Sequence, residues 1–369
     1  CDNRLTGPMP DSIGNLSHLK NLILCGNRLT GPIPDSIGNL TRLEYLVLGD
    51  NRLSGQIPDS IGKLKDLDIV LLNSNSFSNE IPSAMGRLAN LTWVDISYNN
   101  LSGEIPSSIQ NLTKLQNLTL NNNQLSGEIP YSLQNMSKLT TLNLNNNQLS
   151  GEIPRWVFDM ENIDRLDLGD NRLTLPIMNG TTKSQFKQIR LSSCKLQGPI
   201  PFWLSNQTQL QHLDLRKNSL TGTIPQWLGT KYTLEYLILA DNNLTGSLPE
   251  ALFEFSNLEI LSLARNSLTG NLPESIGDAV NMRRLMLSGN HLSGLLPKSM
   301  SKLSKLLWVD LSDNRFSGNV FPFMDSPQLS HVSLSYNRFS GEVPTSFRSS
   351  INVLQLDNNE FTHLPASVA

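Results

Sequence analysis

The 369-residue sequence has few of the features that mark a nucleic-acid-binding protein, a membrane protein or a chain of separate globular domains. Its net charge of −3 gives no strong attraction to nucleic acid or to an anionic membrane. Aromatic residues make up only 6%, which is low for ordinary packed cores. No apolar run approaches the roughly 20 residues that a membrane-spanning helix needs. No charged block or Ser/Pro-rich linker divides the chain.

Sequence motifs for catalysis are also missing. The chain has no G-x-x-x-x-G-K-[ST], G-x-G-x-x-G, H-E-x-x-H or G-x-S-x-G. The histidines are scattered over the chain: His18, His212, His291, His331 and His363. Four aspartates share one strand position and suggest paired carboxylates: Asp95, Asp167, Asp214 and Asp310. The phrases that contain them, V-D-I-S, L-D-L-G, L-D-L-R and V-D-L-S, are variants of one repeated phrase, which favours a role in the repeat over a catalytic one. We therefore expect no enzyme, no metal and no cofactor.

Cysteine is too rare to define a disulfide framework, since only Cys1, Cys25 and Cys194 occur. The compartment is indicated instead by N-x-S/T glycosylation sequons, at Asn15, Asn39, Asn90, Asn100, Asn111, Asn117, Asn135, Asn179, Asn206 and Asn243. Ten sequons favour the secretory pathway. The alternative is that a repeat containing "IGNLT" copies its sequon without any functional reason.

The main feature of the sequence is a repeated pattern of leucine and asparagine. The frame L-x-L-x-x-N-x-L recurs through the whole chain, mostly at steps of 24 residues, and gives sixteen slots. The slot residues are Asn3, Asn27, Asn51, Asn75, Asn99, Asn123, Asn147, Asn171, Cys194, Asn218, Asn242, Asn266, Asn290, Asn314, Asn337 and Asn359. We therefore predict one solenoid over residues 1–369, of about 16 repeats, with no second domain.

Each repeat predicts one short strand. In "LTLNNN", Leu118 and Leu120 alternate with polar residues, as in a strand with one buried face. The remaining residues return the chain to start the next coil, so successive strands lie parallel. No single coil can bury its own leucines, and the stack of coils is the core.

The ten residues "NNNQLSGEIP" occur at 121–130 and again at 145–154, and their asparagines predict two roles. Asn123 stands where the chain turns out of the strand, so its amide is expected to pair with backbone groups and to form a ladder along the solenoid. Cys194 fits this slot as a small residue with a weak donor, and a redox or catalytic role is not favoured. The two preceding asparagines are predicted to end the strand and face outward as surface, at Asn121, Asn122, Asn145 and Asn146.

The other half of the repeat carries a family resemblance. Segments such as "GPIPDSIGNL" (31–40), "GQIPDSIGKL" (55–64), "GEIPSSIQNL" (103–112) and "GNLPESIGDA" (270–279) share an L-x-G-x-I-P core. The sequence resembles the plant-specific leucine-rich repeats, above all the extracellular region of receptor-like kinases and receptor-like proteins. The resemblance implies an α/β horseshoe-type solenoid with one long parallel sheet on the concave face and a short second sheet. The S-I-G-x-L tail is too short for an α-helix and predicts 3₁₀ turns on the outer face.

The repeat pattern is broken in two places and at both ends. Residues 172–194 lack the G-x-I-P core, and within 315–337 Phe321 replaces a proline; a local bulge or kink is expected there. The cysteine-paired caps of the family are missing, so we interpret the chain as a piece of a larger receptor. A complete secreted protein is the alternative. Cys1 and Cys25 occupy the same strand position in adjacent coils, which predicts that they can form a disulfide.

The variable outward strand positions predict a ligand surface on the concave face. Tyr45 and Trp93 belong to an apolar patch near the beginning, and a basic stripe with interleaved aromatics follows an amide-rich middle. The candidate ligand-binding residues of the later repeats are Arg190, His212, Asp214, Arg216, Lys217, Tyr236, Arg265, Arg284 and Trp308, and Arg283 also belongs to the stripe. Arginine beside aromatics favours a peptide whose acidic or C-terminal group lies on the stripe. A solvated face without a partner is the alternative.

The resemblance implies a non-catalytic, extracellular recognition module of a plant cell-surface receptor in defence or development. Its expected partners are a peptide or protein ligand and a co-receptor kinase, with no nucleic acid. Contact with the membrane is expected only through a segment absent from this chain. A secreted inhibitor of cell-wall hydrolases is the alternative, and ice binding through the paired asparagines is a remote third.

Overall fold

The protein is described by a computed structural model that covers residues 1–176, 178, 180–254, 256–343 and 350–363. The chain forms two compact units, Cys1–Phe186 and Lys187–Ala369. Both are built from the predicted coil, in which a main strand is followed by a turn, a short outer strand and, in most repeats, a 3₁₀ helix. None of the helices among these residues is long and apolar enough to cross a membrane.

The main sheet of each unit is parallel, as predicted. Its strands have three residues each, and neighbours pair in register at steps of one repeat. In the first unit the strands are Asn21–Ile23, Tyr45–Val47, Ile69–Leu71, Trp93–Asp95, Asn117–Thr119, Thr141–Asn143 and Arg165–Asp167. In the second unit they are Gln188–Arg190, His212–Asp214, Tyr236–Ile238, Ile260–Ser262, Arg284–Met286, Trp308–Asp310, His331–Ser333 and Val353–Gln355. The middle residue of almost every strand, such as Leu118 or Leu285, is fully buried.

The predicted second sheet is present as short outer sheets. The first unit has a six-stranded sheet of Thr6–Pro8, Arg28–Gly31, Arg52–Gly55, Ser76–Asn79, Asn100–Glu104 and Gln124–Ser126, and a pair of Ser150–Glu152 and Arg172–Thr174. The second unit has a pair of Gln197–Gly198 and Ser219–Leu220, and a six-stranded sheet of Thr245–Gly246, Ser267–Gly270, His291–Gly294, Arg315–Gly318, Arg338–Glu342 and Glu360–His363.

Every helix among the described residues is a 3₁₀ helix, which confirms the prediction from the S-I-G-x-L tail. In the first unit they are Asp11–Asn15, Asp35–Asn39, Asp59–Lys63, Ser83–Arg87, Ser107–Asn111, Tyr131–Asn135 and Arg155–Phe158. In the second unit they are Phe202–Asn206, Gln226–Thr230, Glu250–Leu252, Glu274–Asp278 and Lys298–Lys302. A proline precedes each helix, where its missing N–H costs no hydrogen bond. Gly277 shows why the tail contains glycine, because a Cβ there would lie 2.4 Å from the Ser299 carbonyl oxygen of the next repeat.

The slot asparagines form the ladder that links the repeats. Asn99 Nδ2 lies 3.1 Å from the carbonyl oxygens of Leu72 and Ile96 and 3.0 Å from that of Ser97, while its Oδ1 accepts the Phe77 N–H at 2.9 Å. Each amide therefore bonds backbone groups of its own repeat and of the preceding one. The same contacts recur at Asn51, Asn75, Asn123, Asn147, Asn171, Asn218, Asn242, Asn266, Asn290, Asn314, Asn337 and Asn359, and Asn27 makes three of them.

The cysteines occupy the predicted places. Cys194 is fully buried, and its Sγ lies 3.4 Å from the Ser192 carbonyl oxygen, as expected for a small residue with a weak donor. Its N–H donates to Asn218 Oδ1 at 2.9 Å. Cys1 and Cys25 are joined as a disulfide, with their Cα atoms 4.6 Å apart.

The prediction for the two asparagines before the slot is wrong about where the strand ends and, at Asn121, about exposure, whereas Asn146 is exposed as predicted. The strands end at Thr119 and Asn143, so Asn121 and Asn122 lie in the turn, and Asn121 is only 6% exposed. The residue directly before the slot adopts the left-handed conformation, with φ +56° at Asn122, a position that asparagine tolerates better than most residues. The turn geometry accounts for the asparagine directly before the slot.

The two irregular repeats keep the core filled with other side chains. In the first, Phe186 packs edge-on against Phe158 at 6.3 Å, and no helix is found among the described residues between Thr174 and Gln188. In the second, Phe321 is buried against Phe339 at 5.2 Å. The phenylalanine that displaces the proline is therefore a core residue.

Asn266→Ala tests the ladder. The substitution leaves the Leu244 N–H and carbonyl oxygens of Leu239, Leu263 and Ala264 without the amide, in a part of the core where water is excluded. We expect a loss of about 2–4 kcal/mol in the free energy of unfolding, measured by urea denaturation. Asn319→Ala, at an exposed site of the same unit, is the control and should change it by less than about 0.5 kcal/mol. Equal losses would contradict the role of the ladder.

Candidate functional site: the open face of the main sheet

The open face of the main sheet is formed by the outward side chains of the three-residue strands. In the second unit the first strand residues form one row in which each pairs with the next: His212, Tyr236, Ile260, Arg284, Trp308, His331 and Val353. Parallel strands lie about 4.8 Å apart, so these side chains are immediate neighbours. The structure thus brings the predicted Arg284, Trp308, His212 and Tyr236 onto one surface.

At the start of this row, three predicted residues form a cluster. The Arg190 Nε–H donates to His212 Nε2 at 3.2 Å, and the His212 ring stacks on Tyr236 with centroids 5.0 Å apart. Burial, followed by the positive charges of Arg190 and Arg216, lowers the pKa of His212 to about 4. The imidazole is therefore neutral above that pH and accepts at Nε2, with its proton on Nδ1.

Half of the predicted basic stripe is paired with carboxylates, a feature that the sequence analysis did not anticipate. Three of its arginines have carboxylate partners: Arg216 with Asp214 at 3.4 Å, Arg265 with Asp241 at 2.8 Å between Nη2 and Oδ2, and Arg283 with Glu259 at 3.5 Å. The hydrogen bond from Arg265 holds the pKa of Asp241 below its usual range. Asp241 and Glu259 were not anticipated, although both stand 24 residues before the arginine they bind, a separation that places side chains on adjacent repeats.

Asp214 is 3% exposed, so it influences the surface through Arg216 rather than by contact with a ligand. Lys217 and Arg265 lie beyond the strands, in the left-handed turn residue with φ +54° and +53°. Their charges sit at one edge of the open face and not among the strand side chains.

Arg284 differs from the other arginines of the stripe. It is exposed and, among the described residues, forms no salt bridge. It lies in register between Ile260 and Trp308, whose indole is 38% exposed. A guanidinium beside an aromatic ring and an aliphatic side chain is suited to bind a carboxylate with apolar neighbours.

Trp308, a predicted ligand-binding residue, continues the row into a second aromatic pair with His331, to which sequence analysis assigned no role. The Trp308 and His331 rings are stacked with centroids 4.2 Å apart and planes 2° from parallel. His331 Nδ1 lies 2.8 Å from Ser330 Oγ. Trp308 and His331 are both the first residue of their strands, and this shared position was the signal available in the sequence.

The aspartates that suggested paired carboxylates have a structural role instead. Asp310 Oδ1 accepts the N–H of Ser312 at 3.1 Å and its hydroxyl at 2.6 Å, and Asp95 binds Ser97 in the same way. Asp167 and Asp214 likewise accept the N–H two residues further along. Each carboxylate therefore closes the turn of its own repeat. No group of three or more potential metal ligands is found in the described part of the chain.

The first unit presents a different open face. Tyr45, Ile69 and Trp93 are in register, as are Val47 and Leu71, so the predicted apolar patch is contiguous. Trp93 is 42% exposed and faces the sequon residue Asn117 on the next strand. A glycan on Asn117 would therefore limit access to one end of the patch.

The other sequons among the described residues lie off the open face. Five are the last residues of 3₁₀ helices, namely Asn15, Asn39, Asn111, Asn135 and Asn206. Asn100 begins an outer strand, Asn243 follows a ladder residue, and Asn90 is held by hydrogen bonds to Lys65 and Lys114. Asn179 lies outside the described residues.

Comparison with family models gives three matches. A leucine-rich repeat region matches residues 35–230, a leucine rich repeat matches 1–53, 232–292 and 256–316, and a further single repeat matches 328–350. The chain therefore belongs to the leucine-rich-repeat family. A comparison with curated protein sequences gives no match.

Several solved structures of plant proteins are similar to this chain. The plant peptide hormone receptor RGFR1, in complex with RGF2, is 33% identical over 99% of this chain with a TM-score of 0.85. The Arabidopsis receptor kinase HAESA, with the peptide hormone IDA and the co-receptor SERK1, is 32% identical over 97%, with a TM-score of 0.80. The chain spans 59% of the first and 65% of the second. A plant ice-binding protein is 29% identical over 73% of this chain and 79% of its own length, with a TM-score of 0.54.

The lowered pKa of His212 predicts a pH dependence of stability. As the pH falls, the unfolded chain takes up the proton near 6.5, whereas folded His212 resists it until about pH 4. The stability that neutral His212 contributes is therefore fully present above pH 6.5 and is lost as the pH falls from 6.5 to 4. His212→Phe keeps a ring on Tyr236 but cannot titrate. Between pH 7 and 4.5 the free energy of unfolding should fall in the wild type. The fall should be about 1–2 kcal/mol smaller in His212→Phe.

The measurement is urea denaturation at the two pH values. His291→Phe is the matched control, because His291 lies exposed on an outer strand of the same unit. Identical pH responses of wild type and His212→Phe would contradict the assignment.

Proposed function

We propose that the chain is a ligand-recognition module of a plant cell-surface receptor, exposed at the outer face of the plasma membrane or in the cell wall. It acts by binding a peptide and recruiting a co-receptor kinase, not by catalysis. The complexes of RGFR1 with RGF2 and of HAESA with IDA and SERK1 support this proposal, since both relatives match nearly the whole chain. The ten sequons support an extracellular location.

The observation that carries the proposal is the position of Arg284. It is exposed on the open face without a carboxylate partner among the described residues, while three arginines of the same stripe are paired. A free guanidinium can bind both oxygens of a carboxylate in a fork. The C-terminal carboxylate of a peptide is the group we assign to it.

The neighbours of Arg284 fit the residues that precede such a carboxylate. Trp308 and Ile260 flank it on the adjacent strands and offer apolar area to a side chain of the ligand. Aromatic and arginine side chains dominate the binding energy of many interfaces. A peptide lying across the strands contacts several of these residues at once.

The paired asparagines do not support the ice-binding alternative. Asn121 is buried, and Asn146 Nδ2 donates to Asn122 Oδ1 at 2.6 Å. These amides satisfy each other and the turn, so they do not form a regular array of free groups. The similarity to the ice-binding protein is thus a similarity of scaffold.

Arg284→Ser tests the carboxylate assignment. The probe is a fluorescein-labelled decapeptide that ends in Ser-Leu-Gly-Leu with a free carboxylate, and its dissociation constant is measured by fluorescence anisotropy. Loss of a charge-assisted bond worth about 1.5–3 kcal/mol should weaken binding by at least about tenfold. The same peptide with a C-terminal amide should bind wild type and Arg284→Ser equally weakly.

Arg283→Ser is the matched control, because Arg283 is paired with Glu259 and should contribute little to the binding of the probe. Equal affinity of the acid and amide peptides for the wild-type chain would overturn the proposed function.

A further inference from the structure

The apolar patch of the first unit has its most exposed side chain at one end. Tyr45 and Ile69 are half-buried, whereas Trp93, the next residue of the same row, is 42% exposed. The strand beyond Trp93 begins with Asn117, which pairs with it in register. A contiguous apolar patch on a protein surface marks a place where another group binds. The residue that borders the open end of this patch is a glycosylation sequon.

The sequon is placed so that the folded chain can carry a sugar there. Asn117 and Thr119, its first and third residues, face outward from one strand, while Leu118 between them is fully buried. Among the described residues no side-chain hydrogen bond holds Asn117, whereas the amide of Asn90 is bound at both its nitrogen and its oxygen. A sugar on Asn117 therefore projects over the open face without breaking a contact of the scaffold.

The two neighbours of Asn117 decide the side on which such a sugar lies. Trp93 is on one adjacent strand and Thr141 on the other, and Arg165 lies beyond Thr141. Only the side of Trp93 offers apolar area. One face of a sugar ring consists of C–H groups, which the negative face of an indole attracts. With strands about 4.8 Å apart, the first sugar is directly beside this ring.

We propose that Asn117 carries an N-linked glycan whose first N-acetylglucosamine packs on Trp93 and covers this end of the apolar patch. The inference rests on the extracellular location that is part of the proposed function. It also makes the first unit a less accessible surface for a peptide. None of the main strands described in the second unit contains a sequon, so the open face around Arg284 stays clear.

The attachment is the transfer of an oligosaccharide from a lipid-linked diphosphate donor of the secretory pathway to the nascent chain. The Asn117 Nδ2 bonds to the anomeric carbon of the first sugar. The bond from that carbon to the diphosphate oxygen breaks, the diphosphate leaves with the electron pair, and one amide proton passes to a base of the transferase. Because the chain is modified before it folds, half-burial of Asn117 in the folded strand does not prevent the reaction.

The test uses the full chain secreted from cultured cells that make only high-mannose glycans. Endoglycosidase H then trims each glycan to its first N-acetylglucosamine, and mass spectrometry should find this sugar on Asn117. Hydroxyl-radical footprinting measures how fast each tryptophan is oxidised. Because a packed sugar covers one face of the indole, Trp93 should be oxidised about threefold more slowly in the trimmed wild type than in Asn117→Gln.

Two variants and one internal reference control the measurement. Thr119→Ala removes the sequon but keeps the asparagine, so it should expose Trp93 as Asn117→Gln does. Asn111→Gln removes the sugar from the end of a 3₁₀ helix nearby and should leave Trp93 protected. Trp308 is similarly exposed, at 38%, on a strand of the second unit. Its oxidation rate should be the same in all four proteins, which excludes a general change of the fold.

The outcomes separate this inference from the proposed function. If Asn117 is unmodified while other sequons carry sugar, or if Trp93 is oxidised equally fast with and without the sugar, the inference is wrong. Neither result touches the preference for a free carboxylate at Arg284. Conversely, equal affinity of the acid and amide peptides would overturn the proposed function and leave the protection of Trp93 as it is.

Discussion

The structure depends on one interaction, the hydrogen bonds between each slot asparagine and the backbone of two repeats. A three-residue strand followed by a turn leaves carbonyls and an N–H that neither sheet can pair, and burying them unpaired would be costly. The amide of Asn99 forms hydrogen bonds with all of these groups at once. Only a short side chain with both donors and an acceptor can do this from that position.

Because the ladder and the buried leucines hold the coil, the outward strand residues are free to differ from one repeat to the next. The first unit uses this freedom for Tyr45, Ile69 and Trp93, and the second for His212, Arg284 and His331. Several interactions on the open face connect residues one repeat apart, as in the stack of His212 on Tyr236. The chemistry of the surface is therefore set row by row.

The periodic features of the fold could be predicted from sequence because each follows from a local pattern. Alternating leucines specified the strands, and the short proline-led tail specified the 3₁₀ helices. The positions of Asn121 and Asn122 could not be read in this way. Alternation alone does not tell where a strand stops, and the turn begins after Thr119.

The site was predictable as a surface but not as a set of contacts. Sequence reasoning placed Arg284 and Trp308 on one face, yet treated Arg216, Arg265 and Arg283 as equally available. Whether an arginine is paired depends on whether its side chain can reach a carboxylate in the folded chain. The positions of the charges in the sequence do not give that information.

The ladder has a consequence for how such a chain changes over generations. The asparagine amide in a repeat forms hydrogen bonds only with that repeat and the one before it. The network therefore does not depend on the total number of coils. Duplication or deletion of one 24-residue block preserves every type of bond, whereas a shift of a few residues breaks them. The identical phrases at 121–130 and 145–154 are what recombination between neighbouring gene segments would leave. The open face of the main sheet can thus lengthen in whole rows while the fold of each repeat stays the same.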